Sequence, residues 1–278
     1  MVMILLAVAS AGAYGIADFL GGTASRKANV FRVVAISAPA SLLVEVLLLP
    51  LLGARWNAGS LGWGAVSGIA SAFAFALFYY ALASGPMTIM APITAVVSAA
   101  LPVLVGLVAG ERLSAAGIAG LPVAVCAIVL VTVKRDFAVA VVSRRAVVVA
   151  FLAGAAIALQ LIMLHQAPHD SGVAPLIVGR TVSSLILLGA VVAMRRRIGS
   201  GRPPIVLAAA AGCLDSLANL FFLLASRAGL LSVSAAIVAL YPVATVVLAR
   251  VMIKEQIRGV QWLGLTTAVV GVVLLSQT

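Results

Sequence analysis

The chain has 278 residues, of which 64% are hydrophobic and only 9% are charged. Soluble domains carry about 25% charged residues, so this composition excludes a water-soluble globular protein and indicates a surface that faces lipid. The formal net charge of +11 does not predict a nucleic-acid partner. The basic residues lie in short loops between apolar segments, which is how membrane proteins set their orientation.

Ten apolar segments are long enough to cross a bilayer, which takes about 20 residues each. In chain order they cover 3–22, 32–52, 62–83, 87–109, 115–133, 147–165, 173–194, 204–225, 230–252 and 259–276. The longest connection, about 134–146, separates the first five segments from the last five. The sequence therefore predicts an all-α integral membrane protein, with ten transmembrane helices in two five-helix units, residues 1–136 and 145–278.

The two units repeat each other. Among the residues that recur 144 positions later are Glu111, which returns as Glu255, and Gly120, which returns as Gly264. Because five is odd, the second unit must enter the membrane in the opposite direction to the first, so the repeats are inverted. Such chains are typically secondary transporters, in which two similar units surround one central site. Both glutamates end a span, so we expect them to cap a helix or pair with a loop.

Basic residues are unevenly divided between the two sides of the predicted bundle. They concentrate in the loops after spans 1, 5, 7 and 9, whereas the other side has only Arg55, Arg112 and Arg227. By the positive-inside rule the basic loops face the cytoplasm, and both ends of this chain lie outside.

Three acidic residues lie inside apolar segments, where an ionised side chain costs roughly 3 kcal/mol on insertion scales: Asp18, Glu45 and Asp215. Residues four apart share a helix face, so Tyr14 accompanies Asp18 and Asn219 accompanies Asp215. The repeat places Gln160 opposite Asp18. We predict that a central substrate-binding cavity is lined by Tyr14, Asp18, Gln160, Asp215 and Asn219. The alternative is that each acid lies near an interface or is neutralised by a local hydrogen bond, and for Glu45 we favour that structural interpretation.

Two further tyrosines, Tyr79 and Tyr241, complete the candidate substrate-binding set, although either ring suits an interfacial anchor equally well. Tyr241 precedes Pro242 in mid-span, where proline frees a backbone carbonyl. Pro92 and Pro102 predict a similar break in span 4. Interrupted spans at matching places in two halves indicate a binding site.

Arg180 is the only basic residue deep inside a span. It suits either the carboxylate of a substrate or an ion pair with an acid such as Glu45 or Asp18. We favour the structural ion pair.

Small residues form a stripe in span 5 and another in span 10, a spacing that lets helices approach closely: Gly120, Ala124 and Ala127, and Gly264, Ala268 and Gly271. We interpret both stripes as packing surfaces, within the chain or between protomers.

No catalytic, metal-binding or cofactor motif is recognisable in the sequence. The histidines His165 and His169 are spaced four apart, with Asp170 beside them. A catalytic zinc usually has three protein ligands, so we predict neither a metal nor a cofactor. An intramembrane enzyme acting on lipid-linked substrates would have to use these three residues.

In order and spacing, six short motifs resemble those of the EamA family of the drug/metabolite transporter (DMT) superfamily: Tyr14-Gly15, Ala91-Pro92, Gly110-Glu111-Arg112, Ala235-Ala236, Tyr241-Pro242-Val243 and Lys254-Glu255-Gln256. The resemblance implies two inverted five-helix halves, with spans 1, 3, 4, 6, 8 and 9 around a cavity and spans 5 and 10 peripheral. It also implies that both ends of the chain are cytoplasmic, which opposes the charge count.

From these features we expect a multi-pass transporter of the inner (plasma) membrane that moves a small-molecule substrate by alternating access. We expect it to export amino acids or related metabolites as a monomer or homodimer, with proton coupling through Asp18 or Asp215 as a hypothesis. The alternatives are the intramembrane enzyme and a passive facilitator of the same fold.

Overall fold

The computed structural model describes residues 1–84, 87–132, 143–194, 204–253, 259–275 and 277. In chain order the helices are α1 (Val2–Lys27), α2 (Val30–Leu52), α3 (Ala58–Ser84), α4 (Met87–Val108), α5 (Ala115–Thr132), α6 (Arg144–His165), α7 (Ala174–Met194), α8 (Ile205–Ala228), α9 (Leu231–Val238), α10 (Tyr241–Ile253) and α11 (Gly259–Leu275). A 3-10 turn, His169–Ser171, precedes α7. The predicted all-α membrane fold is confirmed. Most of the predicted linker lies outside the described residues, so the division into two units stays a prediction.

Six helices are long and apolar enough to cross a membrane by themselves: α1, α2, α3, α6, α7 and α8. Shorter apolar stretches lie in α4, in α5, across α9 and α10, and in α11. Large apolar side chains such as Phe73 and Leu185 are more than half exposed on the outside of the bundle, as expected where lipid replaces water. Because α9 and α10 together form the ninth span, the eleven helices of the described ranges make ten spans.

The ninth span is broken where the sequence predicts it. α9 ends at Val238, two residues form a turn, and α10 begins at Tyr241. Pro242 has no N–H to donate to the carbonyl of Val238, so the helical hydrogen-bond ladder is interrupted at this point.

The predicted break in span 4 is wrong, because α4 runs unbroken from Met87 to Val108. Prolines are tolerated in spanning helices when neighbouring helices hold the backbone in place. Here Thr94 Oγ1 donates a hydrogen bond to the carbonyl of Ala150 on α6 at 3.0 Å. We attribute the continuity of α4 to its packing on α6.

Helices of one half pack mainly on helices of the other half. α1 packs on α8 as α6 packs on α3, and α2 packs on α8 as α7 packs on α3. α5 packs on α11, its own counterpart. The pattern of neighbours therefore repeats when the halves are exchanged, as inverted repeats require, and the two halves interlock around one core.

Two glycines allow equivalent close crossings of helices. A Cβ at Gly68 of α3 would overlap the carbonyl oxygen of Gly179 on α7, and a Cβ at Gly212 of α8 would overlap the carbonyl oxygen of Ser37 on α2. Gly68 and Gly212 are 144 positions apart in the sequence. The repeat thus places the same crossing on both sides of the bundle.

The stripes of small residues in spans 5 and 10 pack on each other within the chain. A Cβ at Gly271 would lie 3.4 Å from the backbone of Ala124, and one at Gly120 would lie 2.9 Å from the Leu275 side chain. This confirms that the stripes are packing surfaces.

Candidate functional site

A cavity lies in the middle of the bundle, and the empty space in it and in its open mouth is about 600 Å³. Its walls come from α1, α3, α4, α6, α8, α9 and the start of α10, which confirms that spans 1, 3, 4, 6, 8 and 9 surround it. Six of the seven predicted site residues line it: Tyr14, Asp18, Tyr79, Gln160, Asp215 and Tyr241. The seventh, Asn219, lines a smaller adjacent cavity of about 200 Å³.

Asp18 presents its carboxylate to the central cavity from α1. Within the described part of the chain it makes no hydrogen bond or ion pair. One helical turn further on, Gly21 lies against the hydroxyl group of Tyr79, where any Cβ would overlap that hydroxyl. The glycine therefore lets the Tyr79 ring approach α1 beside Asp18.

Aromatic rings form one wall of the cavity. Phe75 and Tyr79 of α3 meet edge to face with ring centroids 5.8 Å apart. Phe78 meets Tyr241 of α10 in the same way at 6.3 Å. Edge-to-face contacts of this kind stabilise a fixed arrangement of rings, so α3 and α10 present a continuous aromatic surface.

Arg180 of α7 is buried at the edge of this site with its side chain 3% exposed. Its Nη2 pairs with Asp215, its Nε lies 3.4 Å from Glu45 Oε1, and its Nη1 donates to Ser71 Oγ at 2.9 Å. The guanidinium carbon also lies 5.2 Å from the centroid of the Phe75 ring. The expected structural ion pair with Glu45 is confirmed, and Asp215 rather than Asp18 is the second partner.

Glu45 is buried, and it is held in place both by Arg180 and by a residue of α8. Ser216 Oγ donates to its Oε1 at 3.3 Å, whereas its Oε2 has no hydrogen-bond partner in the described ranges. It lines neither of the two cavities just described. These contacts agree with the structural interpretation of Glu45.

A chain of amide and carboxylate groups connects α6 to α8. Gln160 Nε2 donates to Asn219 Oδ1 at 2.6 Å, and Asn219 Nδ2 donates to Asp215 Oδ2 at 3.2 Å. Asn219 Nδ2 also donates to the backbone carbonyl of Asp215 at 2.8 Å. The expected pairing of Asp215 with Asn219 on one helix face is therefore present, and Gln160 joins it.

The break between α9 and α10 forms part of the cavity wall. Val238 and Ala239, on either side of the end of α9, both line the cavity. Tyr241 donates its hydroxyl hydrogen to the carbonyl of Ala91 on α4 at 3.3 Å, and Thr245 Oγ1 donates to the carbonyl of Gly15 on α1 at 3.1 Å. The start of α10 is thus held between α1 and α4.

The loops 53–57, 109–114, 166–173 and 229–230 meet on one face of the bundle, which we call the His169 face. Here Arg227 donates to the carbonyls of Gly172 and Pro168 at 2.9 and 3.1 Å, and to Ser171 Oγ at 3.0 Å. Gly172 also pairs with Ala54 as an isolated antiparallel bridge. These bonds tie the α2–α3 connection and the end of α8 to the α6–α7 connection.

Glu111 caps a helix of the other half on the His169 face. Its carboxylate accepts hydrogen bonds from the backbone N–H groups of Leu231 at 2.6 Å and Ser232 at 3.0 Å, at the start of α9. A carboxylate is favoured there by the unpaired N–H groups and the helix dipole. The predicted capping role of Glu111 is confirmed, whereas Glu255 lies outside the described residues.

The His165, His169 and Asp170 group lies on the same face, away from the cavity. Asp170 forms an exposed ion pair with Arg55 at 3.2 Å. His165 Nδ1 is buried, and no described residue forms a hydrogen bond with it. Over the described ranges, no three His, Cys, Asp or Glu side chains lie close enough together to hold a metal ion.

Sequence reasoning missed several residues of the cavity wall. Phe75 lies one turn before Tyr79 on the same face of α3, so extending that face by four residues would have found it. Ser98 lies 144 positions before Pro242, and the repeat itself marks that position. Phe78 and Ile157 had no comparable signal, because apolar residues in a span look the same whether they face lipid or a cavity.

Comparison with known proteins agrees with this architecture. Residues 144–277 match the sequence model of the EamA-like transporter family. A crystal structure of another protein is similar to this chain with a TM-score of 0.78 and 16% identity, over 99% of this chain and 96% of that one. At this identity the likeness shows the fold alone. No curated protein matches the chain in sequence. The family match identifies residues 144–277 as a unit of the EamA-like transporter family, part of the DMT superfamily, within a multi-pass membrane protein.

Proposed function

We propose that this chain is a secondary transporter that exports amino acids or related small metabolites across the inner (plasma) membrane by alternating access. The observation that carries this proposal is the central cavity, which has an aromatic wall and the carboxylate of Asp18, for which the described residues supply no partner. Because one chain contains both halves, we propose a monomer as the working unit, with a homodimer as the alternative.

Alternating access needs two helix groups that move against each other, and the packing favours groups that mix the sequence halves. α3, α4, α6 and α7 pack closely together, as do α1, α2, α8, α9 and α10. The cavity lies between these groups, since Tyr79 and Gln160 belong to the first and Asp18 and Asp215 to the second. We propose that these two groups, rather than residues 1–136 and 145–278, rock about the central site.

The Arg180 cluster connects the two groups. Arg180 and Ser71 belong to the first group, and Glu45 and Asp215 to the second. Buried charges that stay paired can be kept in the membrane interior, whereas separating them there is costly. We propose that the groups pivot about this cluster, and that opening on the His169 face requires the bonds of Arg227 and Glu111 to break.

Proton coupling is a further part of the proposal. Asp18 faces the cavity, and Asp215 faces it while holding Arg180. An acid in a transporter cavity can carry a proton across the membrane when its surroundings alternate between the two sides. Asp18 is the stronger candidate of the two, because no described cation competes with a proton for it.

Counterflow in proteoliposomes tests the transport function. The purified protein is reconstituted, and exchange of a panel of labelled amino acids is measured with and without an imposed proton gradient. Saturable exchange that the gradient alters, and that Asp18→Asn removes, supports a coupled carrier. Exchange that ignores the gradient favours a passive facilitator. Full gradient-dependent exchange in both Asp18→Asn and Asp215→Asn would refute coupling through these residues.

The enzyme alternative depends on the His165, His169 and Asp170 group, and no observation favours it over transport. Transport that persists when both histidines are replaced by alanine would refute a role for that group.

A further inference from the structure

The charges and rings around the central cavity indicate which substrates it accepts. Among the described residues, Asp18 and Asp215 are the only charged side chains that line it. Arg180 is not among the residues that line it, and lines the smaller cavity with Asn219. A substrate carboxylate or phosphate would therefore meet no described basic side chain in the central cavity.

Arg180 is also fully engaged with the protein itself. Its Nη2 contacts Asp215, its Nε contacts Glu45 and its Nη1 contacts Ser71. Releasing it to bind a substrate anion would leave two buried carboxylates without their cation, which is strongly unfavourable. Arg180 is therefore unavailable to an anionic substrate.

Some of the neutral donors in the wall are engaged as well. The Gln160 amide donates to Asn219, and the Tyr241 hydroxyl donates to the carbonyl of Ala91. Asp18, by contrast, is a negatively charged hydrogen-bond acceptor without a partner among the described residues. The polar groups of the cavity are thus suited to a positive charge and poorly suited to a negative one.

The aromatic wall strengthens this preference. The faces of aromatic rings attract cations, and clusters of rings recognise quaternary ammonium groups. Tyr14, Phe75, Phe78, Tyr79 and Tyr241 all line the cavity that Asp18 faces. A positive charge near Asp18 would gain from both the carboxylate and the rings, while the apolar part of the ligand would fill the remaining volume.

We propose that the central cavity binds organic ammonium cations, that is, protonated or quaternary amines with an apolar body and no free carboxylate. This inference rests on the proposed function in that it takes the cavity as the substrate site. It narrows the substrate class from amino acids and related metabolites to amines, or to amino acid derivatives whose carboxylate is masked.

The test uses four ligands that share a phenyl ring and differ in charge. Phenethylamine and benzyltrimethylammonium are cations, phenylalanine is a zwitterion, and 3-phenylpropionate is an anion. Binding of radiolabelled phenethylamine to the full-length protein in detergent is measured by equilibrium dialysis, with the other three as unlabelled competitors. We expect benzyltrimethylammonium to compete about tenfold better than phenylalanine, and 3-phenylpropionate not to compete.

Two variants and a matched control locate the site. Asp18→Asn keeps the shape of the side chain and removes its charge, so phenethylamine affinity should fall about tenfold or more. Tyr79→Leu removes one ring and should weaken the binding of phenethylamine more than the binding of phenylalanine. Asp170→Asn makes the same chemical change in an exposed ion pair on the His169 face and should leave binding unchanged. Circular dichroism and gel filtration of each variant confirm that it remains folded.

Several outcomes would overturn the inference: no phenethylamine binding by the folded protein, tighter binding of phenylalanine or 3-phenylpropionate than of the cations, or unchanged affinity in Asp18→Asn. Transport is scored separately in proteoliposomes. Counterflow of phenylalanine without any binding of amines would refute the cation preference and leave the transport function standing. Binding of amines without counterflow of any compound would support the cation preference and refute the transport function.

Discussion

Replacing Arg180 by methionine should destabilise the protein severely. The change leaves Glu45 and Asp215 without their shared cation, although their side chains are only 2% and 14% exposed. Removing one partner of a buried ion pair costs about 3–5 kcal/mol. Arg180 serves two carboxylates and the hydroxyl of Ser71 at once, so we expect the upper part of that range.

The assay is thermal unfolding of the purified protein in detergent, with matched variants that separate charge from packing. The triple change Arg180→Met, Glu45→Gln and Asp215→Asn removes every charge of the cluster and should recover most of the lost stability. The stability of Arg180→Lys should lie between those of the unaltered protein and Arg180→Met. Its ammonium keeps the charge but lacks the planar fork that reaches several partners. Arg55→Met, in an ion pair whose side chains are 75% and 59% exposed, should cost less than about 1 kcal/mol.

If Arg180→Met unfolds at the temperature of the unaltered protein, the cluster does not stabilise the fold. A triple variant no more stable than Arg180→Met would show that the loss comes from packing and not from unpaired charge. Either result would also reopen Arg180 as a ligand for a substrate carboxylate.

Three further predictions concern the backbone. Glu111→Gln keeps one acceptor oxygen but loses the charge at the start of α9, so thermal stability should fall by about 1 kcal/mol; no change would mean that the cap contributes nothing. Gly212→Ala places a Cβ on the carbonyl oxygen of Ser37 and should lower the stability of the fold by about 1–3 kcal/mol. Gly12→Ala, where a Cβ would have no atom within 4 Å, should leave stability unchanged. Equal unfolding temperatures of the two variants would refute the close crossing. Pro242→Ala restores an N–H donor at the break between α9 and α10 and should slow counterflow, and an unaltered rate would show that transport does not need the break.

The fold was predictable because a membrane imposes simple rules. Each span needs about 20 apolar residues, and the repeat revealed the inversion from counting alone. The break at Pro242 was predicted correctly and the break at Pro92 and Pro102 was not. All these prolines lack the same hydrogen-bond donor, so the difference depends on tertiary contacts such as that of Thr94 with Ala150, which the local sequence does not reveal.

The candidate site was predictable in part. Spacing by four paired Tyr14 with Asp18 and Asp215 with Asn219, and the structure brings both pairs to the centre of the bundle. The partners of Arg180 were predicted less well. Burial of a charge in a span indicates that it needs a partner, but the choice between Asp18 and Asp215 depends on which helices are neighbours. Since α7 packs on α3 and α2, Arg180 meets Glu45 and Asp215 beside Ser71.

The most direct test of the account fills the cavity without touching its charges. Ala74 lines the cavity and is 4% exposed, while its neighbour Phe73 lies on the outside of α3 and is 58% exposed. In proteoliposomes that show counterflow with the unaltered protein, Ala74→Trp should abolish exchange because the indole occupies the substrate space, and Phe73→Trp should leave it unchanged. Full exchange by a correctly folded Ala74→Trp variant would contradict transport through this cavity.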